Sequence, residues 1–302
     1  MAMDFSKLLS QIESVTTKKT FNENAGEYWK PTKDKAGNAA AVIRFLPNKD
    51  VEDIPFVRIF SHSFKCASTG HWYIENSLST IGGTDYIGTI NQELWNSGLD
   101  ENKAICRLQK RKLQYVSNIL VIKDLANSDN NGKVFKYKYG AKIFEKIHNA
   151  AKGDASLGEE AVNAFDTDSG ADFLLKMQKA NDQFNYDASK FNNPRALFDD
   201  EAKLNAVLAQ CFDLNLEIAP DQFKTEAQLK DKYLWVMGLK KNGAAPVQTQ
   251  DQSVDDELAM LANLANETPK NVPKVVKKGP PMPTMTAADS DDADFFAALI
   301  QE

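Results

Sequence analysis

Cysteine and histidine are scarce: three of each in 302 residues. Cys66, Cys106 and Cys211 are widely spaced and odd in number, and no C-x-x-C pair occurs. A disulfide framework is therefore not expected, which fits a reducing compartment. His62, Cys66 and His71 form a metal-like cluster, but their spacings match no standard zinc module. They read as a hairpin carrying two histidines and a buried thiol. No apolar run approaches the roughly 20 residues that cross a bilayer, and the N-terminus lacks a signal-peptide pattern. The expectation is a soluble, intracellular protein with no membrane contact. Also missing are a P-loop, a G-x-S-x-G elbow, an H-E-x-x-H helix and a Rossmann fingerprint. No catalytic residue and no cofactor are expected. The acidic groups Glu159-Glu160 and Asp199-Asp200-Glu201 lack supporting histidine, so a nuclease-type metal centre is not favoured.

What is present is a globular composition with an uneven charge. Hydrophobic residues make up 42% and charged residues 26%, with a formal net charge of −6. That balance argues against wholesale disorder and, taken whole, against nucleic acid as a partner. Divided along the chain it reads differently. Residues 107–148 hold ten basic and three acidic side chains, a net +7, whereas residues 149–239 carry −7 and residues 241–302 carry −5. Such segregation is informative in itself.

Composition also sets boundaries. Six of the 11 prolines follow residue 240, so residues 241–286 read as a flexible linker. Residues 287–302 form an acidic tail in which Asp291, Asp292 and Asp294 precede Phe295, Phe296, Leu299 and Ile300. Carboxylates at the start of a short helix suit its dipole, and the apolar face that follows reads as a partner-binding peptide. At the other end, Phe5, Leu8 and Ile12 lie on one face of an amphipathic helix within an arm of residues 1–24. That face either packs on its own core or reaches a neighbouring molecule. Residues 25–240 form the core.

Within the core, Ala41–Leu46, His71–Ile74, Tyr115–Ile122 and Val134–Tyr139 are rich in β-branched and aromatic residues. The turn signal D-N-N-G at 129–132 joins the last two into a hairpin. Ala141–Ala150, Asp199–Asp213 and Thr225–Leu239 read as helices, and Phe173–Gln178 as a further strand. Strands interrupted by helices without βαβ alternation indicate an α+β fold with a small barrel.

Aromatics interleave the basic band. Lys110, Arg111 and Lys112 precede Tyr115, and residues 133–140 read K-V-F-K-Y-K-Y-G, followed by Lys142. Single-stranded nucleic acid offers a phosphate per nucleotide to cations and an unstacked base to aromatic faces. Period two places Phe135, Tyr137 and Tyr139 on one face of the strand and Lys136 and Lys138 on the other, so one face is open to being core. A protein-interaction scaffold with an inert core is the alternative reading.

Gly26–Pro47, His71–Glu75, Gln109–Ile147 and Gly170–Phe191 resemble the single-stranded-DNA-binding proteins of T-even-type bacteriophages, in order and spacing. The resemblance implies a helix-destabilising protein with an OB-type barrel. Such proteins coat single strands cooperatively in replication, recombination and repair, in the cytoplasm of the infected host. It implies a DNA groove built from Lys110, Arg111, Lys112, Tyr115, Lys136, Tyr137, Lys138 and Lys142, with Tyr73, Tyr86, Phe184 and Tyr186 as further aromatic faces and Arg44 as a further cation. It also implies self-association along the strand, and contacts of the tail with polymerase, helicase loader and recombination mediator. Two departures stand out. The family's structural zinc is held by one His and three Cys; His62 matches the His, but the thiols are missing. No zinc is therefore expected, and apolar packing through Trp72, Ile74, Leu78, Ile81, Ile87, Ile90 and Leu94 is expected to replace it. The family's basic K-R-K-S-T-like motif is also absent from the N-terminal arm.

Overall fold

The structure, a computed structural model, describes residues 27–239 except 155, 157, 181 and 182. The expectations for Phe5, Leu8 and Ile12, for the linker, and for Asp291, Asp292, Asp294, Phe295, Phe296, Leu299 and Ile300 lie outside the described residues.

A long central strand organises the sheet. β1 (Tyr28–Trp29), β2 (Ala39–Leu46), β3 (Val57–Lys65) and β4 (Trp72–Asn76) precede two helices, α1 (Tyr86–Asn96) and α2 (Asp100–Leu108). β5 (Lys112–Asp124), β6 (Val134–Gly140) and α3 (Ala141–Lys152) follow. Then come β7 (Ala171–Ala180), β8 (Gln183–Asn185), β9 (Lys190–Pro194), α4 (Glu201–Leu208) and α5 (Glu226–Val236). The strand order is β1-β6-β5-β2-β7-β8, with β3 joining β4 to β5 and β9 joining β7. One edge of β5 is split between two partners: its first half pairs with β3 (Val57↔Val116) and its second half with β2 (Phe45↔Ile119). The other edge carries β6 in the expected hairpin (Ser117↔Tyr137). Gly132, at φ +77°, closes the hairpin turn where a side chain would be strained.

The fold is α+β. The expected hairpin, the β7 strand and the α3 helix are present. The helix expected over Asp199–Asp213 is shorter, because Asp200 caps α4 at its start and the chain leaves it after Leu208. Thr225 and Gln228 form a reciprocal capping box that starts α5. No sequence expectation covers β1, β3, α1, α2, β8 or β9.

Alternation along β5 serves two apolar layers. Tyr115, Ile119 and Val121 face one core with Ile43, Phe45, Tyr137, Tyr139, Phe173 and Leu175. Val116 and Leu120 face the other side, where the segment after β9 covers them through Leu197, Val207, Cys211 and Leu214. A further cluster joins the β3–β4 hairpin to the helices through Phe64, Cys66, Tyr73, Ile87, Tyr233 and Val236, with Ile90 packed against it. Ile87 and Ile90 thus pack as expected, while Ile81 is exposed. Trp72, Ile74, Leu78 and Leu94 are half-buried and lie outside that cluster. Its other wall comes from α5, more than 130 residues away in sequence. Among the described residues, no helix is long and apolar enough to cross a membrane.

Candidate nucleic-acid interface

Cations collect at one end of the β3–β5–β6 sheet. Lys110 and Arg111 are exposed where the chain leaves α2, and Lys112 opens β5. The register sets Gln114 opposite Gly140, so β6 ends, and α3 begins, at the same end. Lys142 is exposed in the first turn of α3. Arg58 of β3 is exposed and pairs in register with Tyr115. It was not among the sequence candidates, although the alternation of Val57-Arg58-Ile59 marks it as outward-facing.

Arg111 is positioned from two sides. Its guanidinium lies 4.3 Å from the Phe60 ring, donates to Ser79 Oγ at 3.1 Å and approaches Asp85 at 3.7 Å. Lys112 is half-buried, and burial pushes its ammonium below the ordinary lysine value. Lys112 has no ion pair among the described residues, so an incoming anion would supply the counter-charge it lacks.

The aromatic expectations need correction. Tyr115 and Tyr137 are buried, and their faces are already occupied. Tyr115 stacks on Phe144 at 3.9 Å between centroids and on Tyr139 at 5.8 Å. Tyr137 stacks on Tyr139 at 5.5 Å, with Trp29 edge-on at 5.3 Å. The aromatic side of K-V-F-K-Y-K-Y-G is therefore core, because five rings packed together hide more apolar surface than a solvated strand could. Tyr73 is buried between Phe64, at 5.1 Å and 12° from parallel, and Tyr233. Burial also raises the hydroxyls of Tyr73 and Tyr139 well above the ordinary tyrosine value.

Two of the expected cations are interior as well. Arg44 is 0% exposed. It reaches Asp172 at 3.4 Å and donates to the carbonyls of Asp166 and Arg195, both at 2.9 Å. Gly170 makes room for this guanidinium, since a Cβ there would lie 2.9 Å from Arg44 Nη2 and 2.2 Å from the Asp166 carbonyl. Lys136 is buried between Glu27 at 2.7 Å and Glu217 at 2.5 Å. Both are structural ion pairs, because a buried charge needs its partners fixed. Lys138 is half-buried on the same face as Lys136, 5.4 Å from the Tyr28 ring.

Three aromatic candidates are half-buried. Tyr86 packs edge-on to Tyr233 at 5.8 Å. Phe184 lies under the Lys33 ammonium at 4.3 Å. Tyr186 packs on the main core, with its hydroxyl 3.4 Å from Met177 Sδ. Lys146 of α3 donates to the Asp187 carbonyl at 3.1 Å, tying the Phe184–Tyr186 segment to the helix that carries Lys142. α3 thus borders both the cationic sheet end and this aromatic segment.

The zinc that the resemblance implies does not fit these residues. His62 is buried, with Nδ1 2.8 Å from the Gln109 carbonyl and Nε2 2.9 Å from Asp85. Both ring nitrogens are thus already engaged by oxygen partners of the protein. Cys66 contacts Ser68 Oγ, and Cys106 donates to the Asn91 carbonyl. His71 stacks on Trp235 at 4.1 Å. Among the described residues no three His, Cys, Asp or Glu side chains group to hold an ion. His62 instead links the end of α2 to the start of α1, where Asp85 caps the helix through the Gly88 N–H at 3.1 Å. Burial pushes the Asp85 carboxyl up, but hydrogen bonds from His62 and Gly88, with the charge of Arg111, hold it below the ordinary value.

A family model described as gp32 DNA binding protein like matches residues 37–237. The single-stranded DNA-binding protein of Enterobacteria phage T2 is 40% identical over 246 residues, covering 78% of each chain. That of Enterobacteria phage T4 is 39% identical over 263 residues, covering 83% of this chain and 84% of the relative.

Proposed function

The chain belongs to the gp32-like DNA-binding proteins, and from that premise we propose that it coats single-stranded DNA at the cationic end of the β3–β5–β6 sheet. The observation that carries the placement is Lys112, half-buried and without an ion pair among the described residues, beside exposed Lys110 and Arg111. Phosphates supply the missing counter-charge, and Lys142 continues the track onto α3. Binding is without strong sequence preference, since backbone phosphates carry no sequence information. The action is thermodynamic rather than catalytic: a ligand of the single strand shifts the duplex equilibrium by mass action. Counterion release makes the affinity fall steeply with salt.

The split pairing of β5 around an aromatic interior supports an OB-type barrel. The core of residues 25–240 is flanked by a self-association arm of residues 1–24, a linker of residues 241–286 and an acidic tail of residues 287–302. The tail competes with DNA for the cations and, once displaced, offers Phe295, Phe296, Leu299 and Ile300 to replication and recombination proteins. The setting is phage DNA replication, recombination and repair in the host cytoplasm. The test is titration of intrinsic fluorescence with oligo-dT across a salt series. Saturable quenching that weakens with salt is expected; no binding at low salt would refute the reading.

A further inference from the structure

Trp95 lies in the last turn of α1 and remains 48% exposed, although an indole is among the most costly side chains to leave in water. Two cations from α2 lie over its ring at long range: Arg107 Cζ is 5.7 Å and Lys103 Nζ 6.0 Å from the centroid, so the indole still keeps nearly half its surface in solvent. The α1–α2 pair is tied together and to the core. Asp85 caps α1, Ile87 is buried under Tyr233, and Asn91 bridges the helices by accepting from Cys106 at 3.1 Å and donating to the Gln109 carbonyl at 3.3 Å. The carboxylates close to the indole in sequence are Glu93, Asp100 and Glu101; Asp100 faces Lys103 at 3.6 Å. Arg107 in the last turn of α2 precedes Lys110 and Arg111 by three and four residues. Along the chain, the cations near the indole are thus continuous with those that lead into β5.

We infer that Trp95 is a base-stacking platform: a nucleobase of single-stranded DNA lies on the exposed indole while Arg107 and Lys103 hold the adjoining phosphates. The inference rests on the single-strand reading above and adds a subsite on the helical pair. An indole provides the largest aromatic face for a base, and stacking tolerates any sequence. Cations at the ring favour an occupant that brings phosphates to draw them aside as its base takes the aromatic face. Tyr115 and Tyr137 are closed inside the core, so an external ring supplies what they do not.

Anisotropy of a labelled short oligo-dT, measured on the full chain, tests this without relying on tryptophan emission. Trp95→Ala is expected to weaken binding about 5- to 150-fold, with the salt slope unchanged because no charge is lost. Trp95→Phe should keep most of the affinity but lose a large part of the intrinsic fluorescence quench. Arg107→Ala should lower the salt slope by about one. An unchanged thermal midpoint confirms that the exposed site was altered without unfolding. Wild-type affinity in Trp95→Ala, or an undiminished quench in Trp95→Phe, would overturn the platform while leaving the single-strand reading intact. Failure of the unaltered protein to bind would instead remove that reading, and the platform with it.

Discussion

The Tyr115 ring lies flat on Phe144, with centroids 3.9 Å apart and planes 3° from parallel. One comes from β5 and the other from α3, so the contact fastens the helix that carries Lys142 to the sheet end that carries Lys112. Truncating Tyr115 should therefore act on folding. Tyr115→Ala is expected to cost about 3–5 kcal/mol in urea unfolding, the range for buried aromatics. Tyr115→Phe keeps the stack and should keep DNA affinity. An unchanged unfolding midpoint in Tyr115→Ala, with binding abolished, would mean that the ring faces DNA.

Arg44 is expected to behave in the same way. Arg44→Ala orphans the carbonyls of Asp166 and Arg195 and opens a buried gap, although Arg195 still neutralises Asp172 at 2.7 Å. A loss of about 2–5 kcal/mol is expected. The salt slope of DNA binding should not move. Gly170→Ala should destabilise too, because its new Cβ meets the Asp166 carbonyl. A salt slope lowered in Arg44→Ala would place the guanidinium in the groove.

Lys112 predicts a proton linkage. Burial lowers the pKa of its ammonium in the free protein, and a bound phosphate favours the charged form. Binding then takes up a proton where the free lysine has begun to lose it. Affinity for oligo-dT should fall as pH rises from neutrality toward 10. Lys112→Arg, which stays charged, should flatten that fall. A profile identical in both proteins would contradict it.

Asp85 predicts an acid-side loss of stability. Its carboxyl sits below its ordinary value in the fold, held by His62, Gly88 and Arg111 against the upward push of burial. A depressed folded pKa stabilises above the unfolded value, about 3.9, and the benefit disappears as pH falls through the folded one. Urea midpoints measured from pH 6 downward should show that decline in the wild type. Asp85→Asn should start lower and decline less steeply.

Deleting residues after about 285 removes the proposed competitor for the cations. Affinity for single strands should rise at low salt, and the gain should fade as salt screens both partners. Equal affinity at low salt would exclude competition.

The central hairpin was legible because D-N-N-G separates two β-rich runs, and α3 because apolar residues recur at helical spacing. β3 was not, since V-R-I-F-S-H-S-F places serines and a histidine where an apolar pattern would mark a buried strand. Those side chains are buried and polar because the neighbouring strands and helices enclose them, a long-range effect. The closing of one cluster by Tyr233 and Val236 was hidden for the same reason: local periodicity does not say which distant helix completes a core.

By itself, the sequence determined the α+β class, the segregation of charge and the adjacency of Lys110, Arg111 and Lys112, because composition and nearest neighbours need no folding to be read. Tertiary structure decided which cations and rings remain accessible. Arg44 and Lys136 are drawn inside onto carboxylates, Tyr115 and Tyr137 are spent on the core, and Trp95 is left outside beside two cations. Residue type sets what a side chain can do, but only packing from distant strands and helices sets whether solvent, and therefore DNA, can reach it.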